Sequence, residues 1–314
     1  MIRFANARPF LLSGLVPAIA GLGIGLAALV ALQSADAAPI GAPLGAPAAA
    51  AVEGDQNGKV FLAPHRAIYD LKLSKSSGSR GIQAVRGRIV YDFSGNACDG
   101  YELNFRQVSE LESAEGKPAL SDLRSTTWED EAAKKFRFNS ENLLNDKVTD
   151  AVDGRADRGA SNVKVTLNKP KRKTFRVPAD AVFPTDHMRR IVEAARAGKT
   201  ILNFPVYDGS ESGEKLYNTL TVIGQAIDPV AKPVDDAGAK IPALAHMRRW
   251  PVTISYFEKT SDQAERKGEQ TPVYAISFEL YENGISRALI LDYNDFTISG
   301  TLTNLEMKKV KPCK

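Results

Sequence analysis

Apolar residues recur at every second position through much of this chain. Ile89, Tyr91 and Phe93 alternate with polar neighbours, and Ser94-Gly95-Asn96 then reads as a turn. Tyr101, Leu103 and Phe105 repeat the alternation, as do Val163, Val165 and Leu167, and later Val252, Ile254 and Tyr256. Tyr274, Ile276, Phe278 and Leu280 line one face of a further strand that ends at Asn283-Gly284. Asn-Gly between two alternating runs predicts a hairpin with a type I′ turn, which needs positive φ at both central residues. The return strand is predicted over 287–293 and one more over 296–305. Many short strands punctuated by turn signals predict a mainly β protein: a barrel, a sandwich or a strongly curved antiparallel sheet.

One segment breaks this rhythm. Met188, Ile191, Val192 and Ala195 recur at helical spacing and predict a helix over about residues 185–197. Thr185 is its expected N-cap, Asp186 suits the positive end of the helix dipole, and Gly198 suits the C′ position. The apolar stripe is narrow. It fits a helix that plugs or covers an opening in the sheet, and equally an ordinary crossover helix packed outside.

The ends add an address. Arg3 and Arg8 precede an uncharged apolar run from Leu11 to Leu32, and Ala35 and Ala37 fit an A-x-A cleavage site. Residues 1–37 therefore read as a secretory signal peptide cut after Ala37. The run is also long enough for an uncleaved anchor, although Pro17 and glycines 14, 21, 23 and 25 weaken such a helix. Either way the rest of the chain lies beyond the membrane, and a soluble periplasmic protein is expected. Residues 38–58, rich in Pro, Ala and Gly, read as a flexible spacer. Residues 59–314 then form a single β domain. The net charge of +4 stays within one unit of that after the leader is removed, too near neutral to argue for nucleic acid. The basic run Lys169-Pro170-Lys171-Arg172-Lys173 reads as a solvated turn or edge, with contact to anionic headgroups as the alternative.

Little catalytic chemistry is legible. The three histidines, His65, His187 and His246, are far apart and sit in no ligand motif, so neither a metal nor a cofactor is expected. Gly209-Ser210-Glu211-Ser212-Gly213 has glutamate where a nucleophile elbow needs serine, and reads as a polar hairpin loop. Asp146, Asp150, Asp153 and Asp157 miss the EF-hand spacing and read as a solvated acidic loop. The segment running from His65 and Arg66 to Tyr69 and Asp70 is more distinctive. Arg66 is either a polar anchor inside a cavity or an exposed arginine on an edge strand. The two cysteines, Cys98 and Cys313, have no neighbouring Cys or His, so C-x-x-C chemistry is excluded, and in an oxidising compartment the default is a pair.

Longer motifs carry a resemblance. They are Leu62-Ala63-Pro64-His65-Arg66-Ala67-Ile68-Tyr69-Asp70-Leu71, Ala97-Cys98-Asp99-Gly100-Tyr101, Phe183-Pro184-Thr185-Asp186-His187 and Val206-Tyr207-Asp208-Gly209-Ser210. Leu280-Tyr281-Glu282-Asn283-Gly284-Ile285-Ser286-Arg287, Leu291-Asp292-Tyr293, Asp295-Phe296 and a late cysteine complete the set. In this order they resemble the EipB family, periplasmic cell-envelope integrity proteins of alphaproteobacteria, from about Val60 to Cys313. The resemblance implies a β-spiral, a nearly closed bowl of antiparallel strands around a helix, with a disulfide at the positions of Cys98 and Cys313. It implies a non-enzymatic role in envelope integrity and stress resistance, linked to a periplasmic tetratricopeptide-repeat partner, and a likeness to half-barrels that carry lipids or lipoproteins. It carries over no catalytic residue. Asn294 stands where the family more usually has glycine, and asparagine tolerates the same φ. The expected action is binding of a protein partner or an envelope component such as a polymer or lipid, with His65, Arg66, Tyr69, Asp70, Asn283 and Gly284 as the candidate motif. Carriage of an apolar ligand inside the bowl is the alternative, and an envelope hydrolase comes third.

Overall fold

The computed structural model describes residues 60–77, 81–113, 116, 118–230, 232, 234–258 and 270–310. The predicted leader, the spacer and Cys313 lie outside the described residues. Among the described residues, fourteen strands form one antiparallel sheet. They are β1 (His65–Ser76), β2 (Ile82–Asn96), β3 (Gly100–Ser113), β4 (Ala119–Glu129), β5 (Lys135–Leu144), β6 (Lys147–Arg158), β7 (Asn162–Lys169), β8 (Lys173–Pro178), β9 (Ile201–Val206), β10 (Tyr217–Ile223), β11 (Arg249–Glu258), β12 (Tyr274–Tyr281), β13 (Ser286–Asp292) and β14 (Phe296–Met307).

The spatial order is β8-β7-β6-β5-β4-β3-β2-β1-β14-β13-β12-β11-β10-β9. Each strand sits beside its sequence neighbour except at one place, where the first strand pairs with the last: His65 faces Met307 and Leu71 faces Gly300. The sheet is open between β8 and β9, and the link across that opening contains the helix α1 (Pro184–Arg196). Hairpin connections dominate because antiparallel neighbours need only short turns.

Side-chain contacts show how strongly the sheet curls. Tyr207, just past β9 at one end of the strand order, packs on Phe136 and Phe138 of β5 and Phe175 of β8, at ring separations of 6.5, 5.8 and 6.4 Å. Val182, in the link after β8, makes a parallel pairing with Val206 of β9, through Val182 N to Pro205 O at 2.7 Å and Tyr207 N to Val182 O at 3.0 Å. Two ends that a flat sheet would separate by about 60 Å at roughly 4.8 Å per strand therefore meet.

Alternation sets the faces. Ala67, Tyr69 and Leu71 are buried, whereas Arg66 and Lys72 are exposed. The inward rows build two apolar clusters. One gathers β1–β3 and β10–β14 with Ile191, Val192, Ala194 and Ala195 of α1. The other gathers Phe136, Phe138, Val152, Val163, Val165, Leu167 and Val177 from β5–β8, with Phe183, Tyr207 and Leu216. The helix thus faces the core, as a plug would, and not the outside of a crossover.

Several local readings are corrected. The helix starts one residue earlier than predicted: Phe183 is the N-cap, Pro184 occupies the first turn, and Thr185 provides no side-chain cap. Gly198 takes the C′ role with φ of +71°. β2 continues through Ser94-Gly95-Asn96 and turns only at 97–99. Asp150, Asp153 and Asp157 lie on strand β6, not in an acidic loop. The hairpin after β12 is not type I′. Gly284 N bonds to Tyr281 O at 2.9 Å and Tyr281 N to Ile285 O at 2.8 Å, and Gly284 has φ of +86° while Asn283 is not left-handed. That is a type I turn followed by a glycine bulge, the three-residue alternative. Asn294 adopts φ of +69°, as its resemblance to a glycine position implied.

Candidate functional site

The motif residues divide between two faces. His65 is buried, stacks on Tyr91 at 5.4 Å and places Nδ1 2.7 Å from Ala63 O. Burial lowers its pKa. Tyr69 is buried too and donates its hydroxyl to Ser286 O at 2.8 Å; burial drives its pKa upward. The Asn283-Gly284 turn meets the same region: Ala63 N donates to Asn283 O at 2.9 Å, and a β-carbon on Gly284 would lie 2.6 Å from Leu62 Cδ2. These four residues lock the start of the domain onto the β12–β13 hairpin, which is a structural task. Arg66 and Asp70 belong to the other face. Arg66 is exposed and is no cavity anchor, but β1 is paired on both sides, with β2 and β14, and is not an edge strand. Asp70 accepts from Arg88 Nε at 2.8 Å in an exposed pair, worth little by itself.

The opening of the sheet carries more chemistry than sequence reading found. Glu129, at the end of β4, is almost fully buried. Its Oε2 accepts from Thr185 N at 2.8 Å and its Oε1 from Asp186 N at 3.0 Å, so a strand carboxyl group caps the helix in place of a local side chain. Burial pushes this carboxyl up, and the Asp186 charge adds to it, against the lowering effect of the Thr185 bond; the outcome is about 8. Asp186 in turn binds Arg189 at 3.2 Å and Arg190 at 2.9 Å. Arg158 of β6 covers the same corner, donating Nε to Ala133 O at 2.8 Å and Nη2 to Ala181 O at 2.6 Å, over the Phe183 ring at 4.7 Å. His187 packs edge-on to Phe204 of β9 at 5.9 Å; burial, helped by Arg190, lowers its pKa to about 4. Its Nε2 has no hydrogen-bond partner among the described residues.

The loop after β9 fills the rest of the interior. Residues 209–213 lie in the β9–β10 hairpin loop, as read, but its glycines turn inward: Asp208, Gly209 and Gly213 are buried while Ser212 is exposed, and Tyr207 donates its hydroxyl to Gly213 O at 2.6 Å. Gly209 has φ of +68°, and a β-carbon there would lie 2.4 Å from the Phe138 ring. The loop sits on β5–β7 because its glycines allow backbone to lie flat against aromatic rings. On the other wall, Tyr217, Tyr256, Tyr274, Tyr293 and Phe296 form a continuous ladder with ring separations of 6.2, 6.0, 5.0 and 5.0 Å. Burial raises the Tyr293 hydroxyl above its usual range, and the Gln107 side chain of β3 lies beside it.

A buried ionic cluster pins the segment between β10 and β11. Arg249, 1% exposed, donates to Glu279 Oε2 at 2.7 Å and Lys232 O at 2.6 Å. Arg287 donates to Asp236 at 2.6 Å and also to Glu279. Burial alone would raise the Glu279 carboxyl, but the two guanidinium groups outweigh it and hold it below its usual range. No sequence motif marks this cluster; its members are spread over more than fifty positions. Among the described residues no group of His, Cys, Asp and Glu is arranged to hold a metal. Among the described residues no cysteine is free; Cys98 lies in the turn between β2 and β3.

The chain is similar to known proteins. The EipB-like family model matches residues 56–309. The cell envelope integrity protein EipB of Brucella abortus is 37% identical over 248 residues, 79% of this chain and 85% of that protein. A crystal structure of a β-barrel-like protein of domain of unknown function DUF1849, also from Brucella abortus, superposes with a TM-score of 0.72 at 34% identity, over 80% of this chain and 100% of that one. With an almost continuous match from the first strand to the last, and the same curled β architecture in the solved relative, this chain belongs to the EipB-like family of cell-envelope integrity proteins.

Proposed function

We propose that the chain supports envelope integrity from the periplasm as a binding protein, engaging a protein partner or an envelope component through its outward surface. The family's envelope role is shared with the Brucella relative, and its members are not described as enzymes. The observation that carries the reading is the occupied interior. Ile191 and Val192 of α1 are fully buried in one cluster with Tyr217, Tyr256 and Tyr274, and Tyr207 and the loop after it pack in the other. A lipid could enter only by displacing α1 or that loop, which favours outer contacts over carriage inside the bowl. On this reading residues 1–37 direct export, Cys98 and Cys313 pair in the oxidising compartment, and a tetratricopeptide-repeat protein of the periplasm is the partner to test first.

The experiment is complementation. A strain lacking its own EipB-family gene receives the full chain or a version without residues 1–37, and survival on detergent is measured. Rescue by the exported chain alone is expected. Failure of the exported, folded chain to rescue overturns the proposal. Native mass spectrometry of the exported protein separates the lipid-carrier reading, which requires a bound acyl mass.

A further inference from the structure

The outward face of β4–β7 carries a dish that the family motifs do not touch. Its volume is about 180 Å³, room for roughly six waters at 30 Å³ each and so for a single sugar ring. It exists because Ala151 stands opposite Glu141 in the β5–β6 ladder. A methyl group at the floor lies among the longer side chains of Arg124, Thr126, Asn139, Glu141 and Lys169.

The dish is fixed before any ligand arrives. Arg124 is held by Asp122 through Nε at 3.1 Å and Nη2 at 2.7 Å. Thr126 donates to Asn104 Oδ1 at 2.9 Å. Asn139 and Asn168 both donate their amides to Asp153, at 3.2 and 2.6 Å. These bonds commit donors and leave acceptors: the Asn139 carbonyl, the Thr126 oxygen and the Glu141 carboxylate, for which no hydrogen bond or ion pair is seen among the described residues. Lys169 and the remaining Arg124 Nη1 supply donors. A ligand must therefore both give and take hydrogen bonds across one ring-sized patch. A simple anion meets Glu141, and an acyl chain finds apolar surface chiefly at Ala151 and Val152, in a lining that is mostly polar. Vicinal hydroxyls satisfy both demands, since each can donate to a carboxylate or carbonyl and accept from an ammonium or guanidinium.

We propose that this dish binds a hydroxyl-bearing sugar unit of an envelope glycan. The proposal deepens the binding reading above by naming a surface and a ligand class, and it rests on that reading.

The test titrates the exported full chain with a cellulose hexasaccharide, a chitin hexasaccharide and a polygalacturonate hexasaccharide. Inorganic phosphate and dodecanoate serve as controls, with amide NMR shifts and calorimetry as readouts. At least one saccharide is expected to saturate and to shift the amides of Asn139, Glu141 and Ala151. Ala151→Phe, which fills the dish from the solvent side, should weaken binding tenfold or more, and Glu141→Gln severalfold. Unchanged melting temperatures for both variants separate lost binding from lost folding; if the Phe variant is destabilised, Glu141→Gln carries the test. Binding of none of the three saccharides, binding indifferent to both variants, or equal competition by phosphate overturns the assignment. If glycan binding fails while the exported chain still rescues detergent survival, the dish is wrong and the envelope reading stands; if rescue fails as well, both fall.

Discussion

Replacing Glu129 by glutamine tests whether a strand carboxyl governs the closure of the sheet. With its pKa at about 8, the folded protein keeps a proton at Glu129 over a range where the unfolded chain has released it. Native protons exceed unfolded ones between pH 4.5 and about 8, so this site's contribution is complete below 4.5, declines through that window and is gone above it. The full span corresponds to on the order of 5 kcal/mol. Glutamine is neutral throughout. Its single carbonyl oxygen can cap one of the two amides, Thr185 N or Asp186 N, and its own amide opposes the other, a loss of about 1–2 kcal/mol. Glu129→Gln should therefore be less stable than wild type at pH 5 and more stable at pH 9. His187 works in the opposite direction. Its ring stays neutral down to about 4, so its contribution is complete above the ordinary 6.5 and is lost as pH falls toward 4. It is present in both proteins, which is why the difference between the two urea-unfolding curves is the quantity to measure. Parallel wild-type and variant profiles from pH 5 to pH 9 would refute the assignment of the proton to Glu129.

Four further substitutions probe other parts of the fold. Gly209→Ala puts a methyl group into the Phe138 ring and a side chain at φ of +68°; a cost of about 2–4 kcal/mol in urea denaturation is expected, and a near-neutral result would mean the loop does not pack on β5. Arg249→Ala leaves Glu279 and the Lys232 carbonyl short of a buried partner and should cost about 3–5 kcal/mol, whereas Arg88→Ala at the exposed pair should cost under about 1 kcal/mol; equal effects would contradict the burial argument. For the proposed Cys98–Cys313 bond, which would close a loop of roughly two hundred residues, Cys98→Ser should lower stability by up to about 5 kcal/mol. Two alkylated thiols in unreduced, freshly exported protein would exclude the bond.

The strands were legible because alternation is a local signal: Tyr274, Ile276, Phe278 and Leu280 announce a face without reference to any neighbour. The helix was legible from its stripe, but its cap was not, because the capping group comes from Glu129, more than fifty residues earlier. The Asn-Gly signal marked the right hairpin and the wrong turn type. The bulge geometry depends on Glu282 and Asn283 staying right-handed while Gly284 alone crosses to positive φ. Gly209 to Gly213 reads as a polar hairpin loop and forms one, but nothing in its composition shows that its glycines turn inward. Its burial comes from the fit of backbone to Phe138 and Leu167, which no hydropathy pattern records. Of the candidate motif, His65, Tyr69, Asn283 and Gly284 proved to share one junction, and the distinction from Arg66 and Asp70 follows from period two once β1 is known to face inward at His65.

The strand order itself explains why those long-range groups matter. A meander whose first and last strands pair is already held along one line by the β1–β14 ladder, from His65–Met307 to Ser76–Phe296. The break between β8 and β9 has no ladder, so its closure depends on side chains and on the Val182–Val206 contact. Glu129, Arg158, Phe183, Asp186 and Tyr207 all gather there. A charged, buried joint is more sensitive to pH and to substitution than a hydrogen-bonded seam, because its attraction must outweigh a larger desolvation cost than a backbone pair faces. The opening is therefore where this sheet should first come apart: hydrogen exchange of β9 and of the amides at 182–186 should be faster than that of β1 and β14, and to a greater degree at pH 9 than at pH 6. Uniform protection across both seams at both pH values would show that the helix and its carboxyl cap add nothing to holding the spiral shut.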